Sequence, residues 1–247
     1  MSQLDLALEA EISTRHLSFV ETGRSTPSRE MILHLADQLE IPLRERNVLL
    51  TSAGFAPVFP ERPLDDESLK TARKTIDLIL RGHEPNPALA LDRHWNLIAA
   101  NKAVDFLLKG VNASLLLPPI NVLRISLHPE GLAPQIINFA EWRTHLFERL
   151  SRQIEITADS VLVDLEQELK NYPTLQKAEK NQRIGRVESS NIAIPFRLST
   201  DETELSFLST TTVFGMPLDV TLSELAIESF FPADAATADY LVLKNIK

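Results

Sequence analysis

The segment Ser13-Thr-Arg-His-Leu-Ser-Phe-Val-Glu-Thr-Gly-Arg-Ser-Thr-Pro-Ser-Arg-Glu-Met31 carries the signals of one whole helix, a turn and the start of a second helix. Ser13 is a good N-cap, because its hydroxyl can accept from a backbone N–H of the first turn. Leu17 and Val20 then share one face. Gly23 supplies the positive φ on which many helices end. Pro27-Ser28 opens the next helix, with Met31, Ile32, Leu35, Ala36 and Leu39 on its inner side. Upstream, Ser2 and Asp5 read as a capping box for a short helix whose apolar face is Leu4, Ala7 and Leu8. Downstream, Pro42 opens a helix with Leu43, Val48, Leu49, Leu50 and Ala53, which stops at Gly54. Residues 1–57 are therefore expected to form a small helical bundle.

In the 13–22 helix, Thr14, Arg15, Ser18 and Phe19 lie opposite Leu17 and Val20. Short polar and basic side chains in the first turns of a helix are what a major-groove reader presents. Arg15 can make a bidentate contact to a guanine edge, and Phe19 can touch a thymine methyl. Gln3, Ser13, Arg24, Ser25, Thr26 and Arg29 are placed to hold phosphates. The spacing alone is also that of an ordinary bundle with a solvated polar face. Helix-turn-helix domains of this kind carry one more helix ahead of the pair, whereas here the sequence opens directly on it.

The chain has 247 residues, a net charge of -9, 44% hydrophobic residues and no cysteine. That composition excludes disulfides and thiolate metal sites, and no apolar run is long enough to span a bilayer. Asp5, Glu9 and Glu11 interrupt any signal-peptide core, so the expected location is cytoplasmic, with no membrane partner. Residues 1–57 hold five arginines against eight acids, a net charge of -3. Three of those arginines fall between 15 and 29, which leaves a local basic edge and a weak long-range pull on phosphate. The six histidines show no metal spacing. There is no glycine-rich phosphate loop and no nucleophile elbow. An enzyme reading has no residues to support it, and no cofactor or metal is expected.

Residues 56–66 contain three prolines without helical or strand period, and 58–67 reads as a linker. Beyond it, Leu69, Ala72, Ile76 and Ile79/Leu80 predict a helix ending at Gly82. Residues 89–101 read as strand, tight turn at Asp92-Arg93, strand. Asn101 is expected to end that strand and start a helix from Lys102 to about Leu108. Two amphipathic helices are expected within 134–170, the first running through Ile136, Phe139, Arg143, Leu146, Leu150 and Ile154. Alternation at Ile192, Ile194, Phe196 and Leu198, at Leu205 and Phe207, and at Leu218, Val220 and Leu222 predicts late strands. Leu225, Ile227 and Phe231 continue on one face, with Glu224, Glu228 and Phe230 on the other. Strands early and late with helices between them suggest one antiparallel sheet covered by helices, an α+β domain over 68–247.

Ser2-Gln-x-x-Leu-Ala7, Leu17-Ser-x-Val-Glu-x-Gly-Arg24 and Pro27-Ser28 resemble the lambda-repressor-like, xenobiotic-response-element helix-turn-helix family. The wording of 13–31 resembles the MmyB-like branch of bacterial transcription regulators. Leu91-Asp92, Asn96-Leu97-Ile98, Asn101-x-Ala103 and Phe106-Leu-Leu-x-Gly110 resemble the start of a PAS-like sensor. Leu127-His-Pro-Glu-Gly131 and the stretch from Phe214 to Pro232 resemble the MmyB-like ligand-binding domain. The resemblance implies an all-α head on a PAS-like sheet domain that binds double-stranded DNA as a homodimer. It also implies a small apolar ligand, such as a fatty acid or similar acyl chain. Leu97, Phe106, Phe139, Trp142, Phe147, Phe207 and Phe214 are the candidate walls of its pocket. Arg143, which interrupts an apolar helix face, is the candidate carboxylate partner; the alternative is that these are core residues and Arg143 reaches a surface acid. The competing functional reading is a ligand-binding protein with a truncated head that no longer binds DNA.

Overall fold

A computed structural model describes residues 2–173 and 193–245. The chain divides into two units, residues 1–66 with 215–223, and residues 67–214 with 224–247. In the first, α1 (Gln3–Glu9), α2 (Thr14–Glu21), α3 (Arg29–Gln38) and α4 (Leu43–Ser52) follow one another through short turns. The capping signals act as the residue types require. Ser2 and Asp5 cap each other's backbone, Ser13 accepts from the His16 amide, and Ser28 accepts from the Met31 amide. Gly23 and Gly54 have φ of 70° and 84°, where any Cβ would be strained. Ala7, Leu17, Ile32, Ala36 and Leu50 form the interior, while Leu4, Leu8 and Leu39 are exposed.

The Pro-rich segment is held rather than loose. Asn47 of α4 accepts from the Val58 and Phe59 amides and donates to the Phe59 carbonyl. Farther along, the Val220 amide donates to the Pro60 carbonyl, and the Thr221 hydroxyl donates to the Arg62 carbonyl at 2.6 Å.

The second unit is a five-stranded antiparallel sheet with helices. Its strands are β1 (Ala88–Leu91), β2 (Leu97–Ala100), β3 (Phe196–Ser199), β4 (Glu204–Val213) and β5 (Ala226–Pro232), in the order β2-β1-β5-β4-β3. Between β2 and β3 lie α6 (Val122–Leu127), α7 (Phe139–Thr157) and α8 (Ser160–Lys170). The unit also holds α5 (Lys70–Gly82) and α10 (Ala235–Asn245). One continuous core joins α6, α7 and α8 to the sheet through Leu123, Trp142, Leu146, Leu150, Leu162 and Leu165 against Leu89, Phe196, Phe207 and Phe230.

Several sequence expectations are corrected. The β1–β2 connection is a five-residue loop, not a tight turn. Asp92 accepts from the His94 and Asn96 amides, and Trp95 sits at φ 65°. Asn101 caps nothing with its side chain; it is buried, accepts from the Ala88 amide and donates to the Leu80 and Asn86 carbonyls. The helix expected from Lys102 is one 3-10 turn, Lys102–Val104, followed by turns. Ile136 precedes α7 and bridges to Leu198.

Alternation at Leu218, Val220 and Leu222 is not a strand. Asp219 accepts from the Thr221 and Leu222 amides and starts the one-turn α9 (Val220–Ser223). Such a local side-chain bond competes with sheet pairing. Helices α6 and α10 were not anticipated. Ile192 lies outside the described residues.

Candidate DNA-reading face and ligand cavity

Helix α2 exposes Thr14 and Arg15 and half-exposes Ser18 and Phe19, with Leu17 buried beneath. The Arg15 guanidinium lies over the Phe19 ring, 5.3 Å from its centroid. This cation–π contact narrows the rotamers of a long side chain before any partner arrives. The turn at Gly23 is fixed by the Arg24 and Ser25 amides, both donating to the Phe19 carbonyl at 2.8 and 3.0 Å. Arg24, Thr26 and Arg29 are exposed around it, and Ser25 is half-buried.

Two of the anticipated phosphate holders are already engaged. The Gln3 amide donates to the Glu21 carboxylate, and the Ser13 hydroxyl oxygen is spent on capping α2. Gln3 thereby links α1 to α2. The Ser13 proton is still able to donate.

In the second unit a cavity of about 80 Å³ opens between sheet and helices. It is walled by Leu89, Trp95, Leu97, the 104–108 turns, α6, Leu132, Trp142, Leu146, Phe196 and Phe230, and it contains two polar side chains, Ser126 and Glu228. Of the eight ligand-site candidates, Leu97 and Trp142 line it. Phe139 and Phe207 are core, Phe207 being 0% exposed and packed edge-on against Phe230 and tilted against Phe196. Phe147 packs half-buried at the core's margin with the Arg143 guanidinium over its ring. Phe106 faces a separate groove with Tyr240, and Phe214 is half-buried beyond the end of β4. Arg143 is therefore a stacked surface cation and not part of the cavity wall.

The residues sequence reasoning missed are Trp95, Ser126, Arg149 and Glu228. Trp95 holds its left-handed backbone because its indole N–H donates to Gln153 at 2.8 Å, while Gln153 donates to the Arg93 carbonyl. Such a strained bulky residue persists only where its surroundings fix it. Arg149 lies over the Trp95 ring at 4.7 Å and pairs with Glu228. The Ser126 hydroxyl accepts from the Trp142 indole at 3.0 Å.

A sheet of this order enclosing a small apolar cavity, together with a separate helix pair that carries a basic edge, fits the class of DNA-binding regulators with a ligand-binding domain. Residues 72–243 match the family model of the MmyB-like transcription regulator ligand binding domain, and residues 1–46 match a helix-turn-helix model. The chain belongs to the MmyB-like transcription regulators. A search of curated proteins returned no match. Among the described residues no helix is long and apolar enough to cross a membrane, and no His, Asp and Glu cluster could hold a metal.

Proposed function

We propose that α2 reads operator DNA through Arg15, Thr14, Ser18 and Phe19, with Arg24, Ser25, Thr26 and Arg29 on phosphates. A homodimer would place two such helices on palindromic half-sites roughly 34 Å apart. The second domain is PAS-like and binds a small apolar or acyl ligand. The observation that carries this reading is the apolar cavity with both tryptophans of the chain in its wall.

At about 80 Å³ the cavity is roughly half the ~150 Å³ that accommodates benzene in an engineered core. A longer chain enters only if a wall moves. The turns over 102–110 are the mobile choice, since they form one 3-10 turn and carry half-buried Leu108 at the cavity.

The route to the head is covalent. Strand β5, which carries Glu228, follows directly on 215–223, and that segment hydrogen-bonds to Pro60 and Arg62 behind the head. Ligand that shifts β5 therefore pulls on the segment that holds the head's C-terminal end. Native mass spectrometry of the purified chain, joined to a mobility-shift assay on its own promoter, tests the reading. A bound apolar molecule and a sequence-specific shift are expected; a chain that does neither is not such a regulator.

A further inference from the structure

We propose that Arg93 is the positioning residue through which the state of the cavity reaches the head, by pairing with Glu224 where the chain crosses from one unit to the other. This deepens the reading of the chain as a ligand-responsive regulator and rests on it. Arg93 and Glu224 both belong to the second unit, and Glu224 is its first residue after the 223–224 crossing. One guanidinium holds two carboxylates there. Its Nη2 lies 2.6 Å from Asp159 Oδ2, and its Nη1 donates to Glu224 Oε1 at 3.4 Å. Its Nε donates to the His94 ring at 3.0 Å. Asp159 also accepts from the Val161 amide and caps α8, so that end of the bridge is fixed. The Glu224 end is the longer contact, with room to close or to open.

The same loop supplies part of the cavity wall. Trp95, two residues after Arg93, lines the cavity with its backbone at φ 65°. Its indole donates to Gln153 Oε1, and Gln153 Nε2 donates back to the Arg93 carbonyl. A guest that presses on the Trp95 ring therefore moves the backbone that carries the Arg93 side chain. A bulky residue held in the left-handed region relaxes when its ties are loosened, which gives the loop two discrete arrangements.

Two ion pairs run from the cavity side toward β5, and they are not equivalent. Glu228, the partner of Arg149, stands opposite Leu89 of β1 on one side and Thr211 of β4 on the other. Both ladders hold it in mid-sheet. Glu224 precedes β5 and stands outside both ladders, which end at Ala226 against Leu91 and Val213. Displacement there breaks no strand pairing and so costs less. Residues 215–223, immediately before it, are the ones that hydrogen-bond to Pro60 and Arg62.

The test compares the coupling between cavity and promoter in the full natural chain with that in two variants that approach the contact from its two ends. Glu224→Gln removes one charge from a residue outside the cavity wall. Arg93→Lys keeps a cation for Asp159 but lacks the fork needed to hold two carboxylates. Glu168→Gln, which weakens the Arg124 pair between α6 and α8, controls for a general loss of stability. The cavity is filled with octanoate or 1-octanol, whichever binds more tightly. Occupancy is followed by the emission of Trp95 and Trp142, the two tryptophans of the chain, both in the cavity wall. Promoter affinity is followed by anisotropy. On filling, the natural chain and Glu168→Gln are expected to change promoter affinity by about 5-fold or more. Glu224→Gln and Arg93→Lys are expected to bind the probe as the natural chain does and to leave promoter affinity nearly unchanged on filling. If either of these two, once folded, keeps the natural coupling, or if Glu168→Gln loses it equally, Arg93 is not the link, while the regulator reading stands. If the filled natural chain shows no coupling, or if neither probe enters, that reading fails and the inference with it. Should Glu224→Gln not fold, Arg93→Lys decides by the same criterion.

Discussion

Arg15 shows how a single side chain can be prepared for its role. Stacked on Phe19 and borne on a helix capped by Ser13, it would lose little freedom on meeting a base, as the proposed reading of α2 requires. Arg15→Ala is expected to cost about 1–3 kcal/mol at one operator position and much less on random DNA, as read by competition binding. An equal loss on both would make Arg15 a phosphate contact. Gly23, at φ 70° with nothing near an added Cβ, isolates the backbone term of the same turn. Gly23→Ala should lower head stability by about 1–2 kcal/mol, measured by thermal unfolding, because only conformational strain changes.

The cavity residues were less legible in the sequence. Large aromatics mark burial, but burial does not say which side of a layer a ring lies on; Phe207 and Phe139 fill the core and leave no room for a guest. The useful signal was the register of β5, where Glu228 alternates onto the same face as Phe230. A carboxylate in phase with a buried phenylalanine is the pattern that could have found it. Trp95 gave no comparable signal, since its place depends on a left-handed backbone in a loop.

Helices whose first turn is capped by a serine followed the sequence closely: α1, α2 and α3. A local cap was not sufficient where the capping residue also makes a long-range bond. Helix α6 starts at Asn121, which accepts from the Leu123 and Arg124 amides while donating to the His94 carbonyl, and nothing local announces that long-range bond. Its other lock is Arg124 of α6 against Glu168 of α8, a two-bond pair at 2.8 and 2.7 Å. The hydrogen bonds from Arg124 hold the Glu168 carboxyl below its ordinary value of 4.5, against the opposing effect of partial burial.

A folded-state value below the unfolded one means stability that is whole above pH 4.5 and is lost as pH falls through the lowered value. The unfolding midpoint should therefore fall on acidification below pH 4.5, and Glu168→Gln should flatten that slope. An unchanged slope in the variant would mean that the pair contributes nothing.

The one-turn α9 invites a different test. Asp219 caps it and approaches Arg62 at 3.5 Å. Asp219→Ala should remove about 0.5–2 kcal/mol of capping and leave probe binding in the cavity intact. The effect of ligand on DNA affinity should then shrink toward none, as seen in paired fluorescence and gel-shift titrations.

With -9 overall, the chain has little non-specific hold on DNA, so binding must come from a few placed arginines and should weaken only modestly with salt. The chain passes between its two units at 66–67, 214–215 and 223–224. On the proposed reading, a rearrangement of β5 would reach the head through the 223–224 crossing. A coupling of about 1–3 kcal/mol, roughly 5–150-fold in affinity, is ordinary for two such sites, and it must be reciprocal.

The most direct measurement is the affinity of the full chain for a labelled fragment of its own promoter, taken by anisotropy with the cavity empty and with it saturated, occupancy being followed by tryptophan emission. The account predicts that filling the cavity changes promoter affinity by about 5-fold or more, and that promoter DNA changes probe affinity by the same factor. An unchanged promoter affinity with the cavity demonstrably full would contradict it.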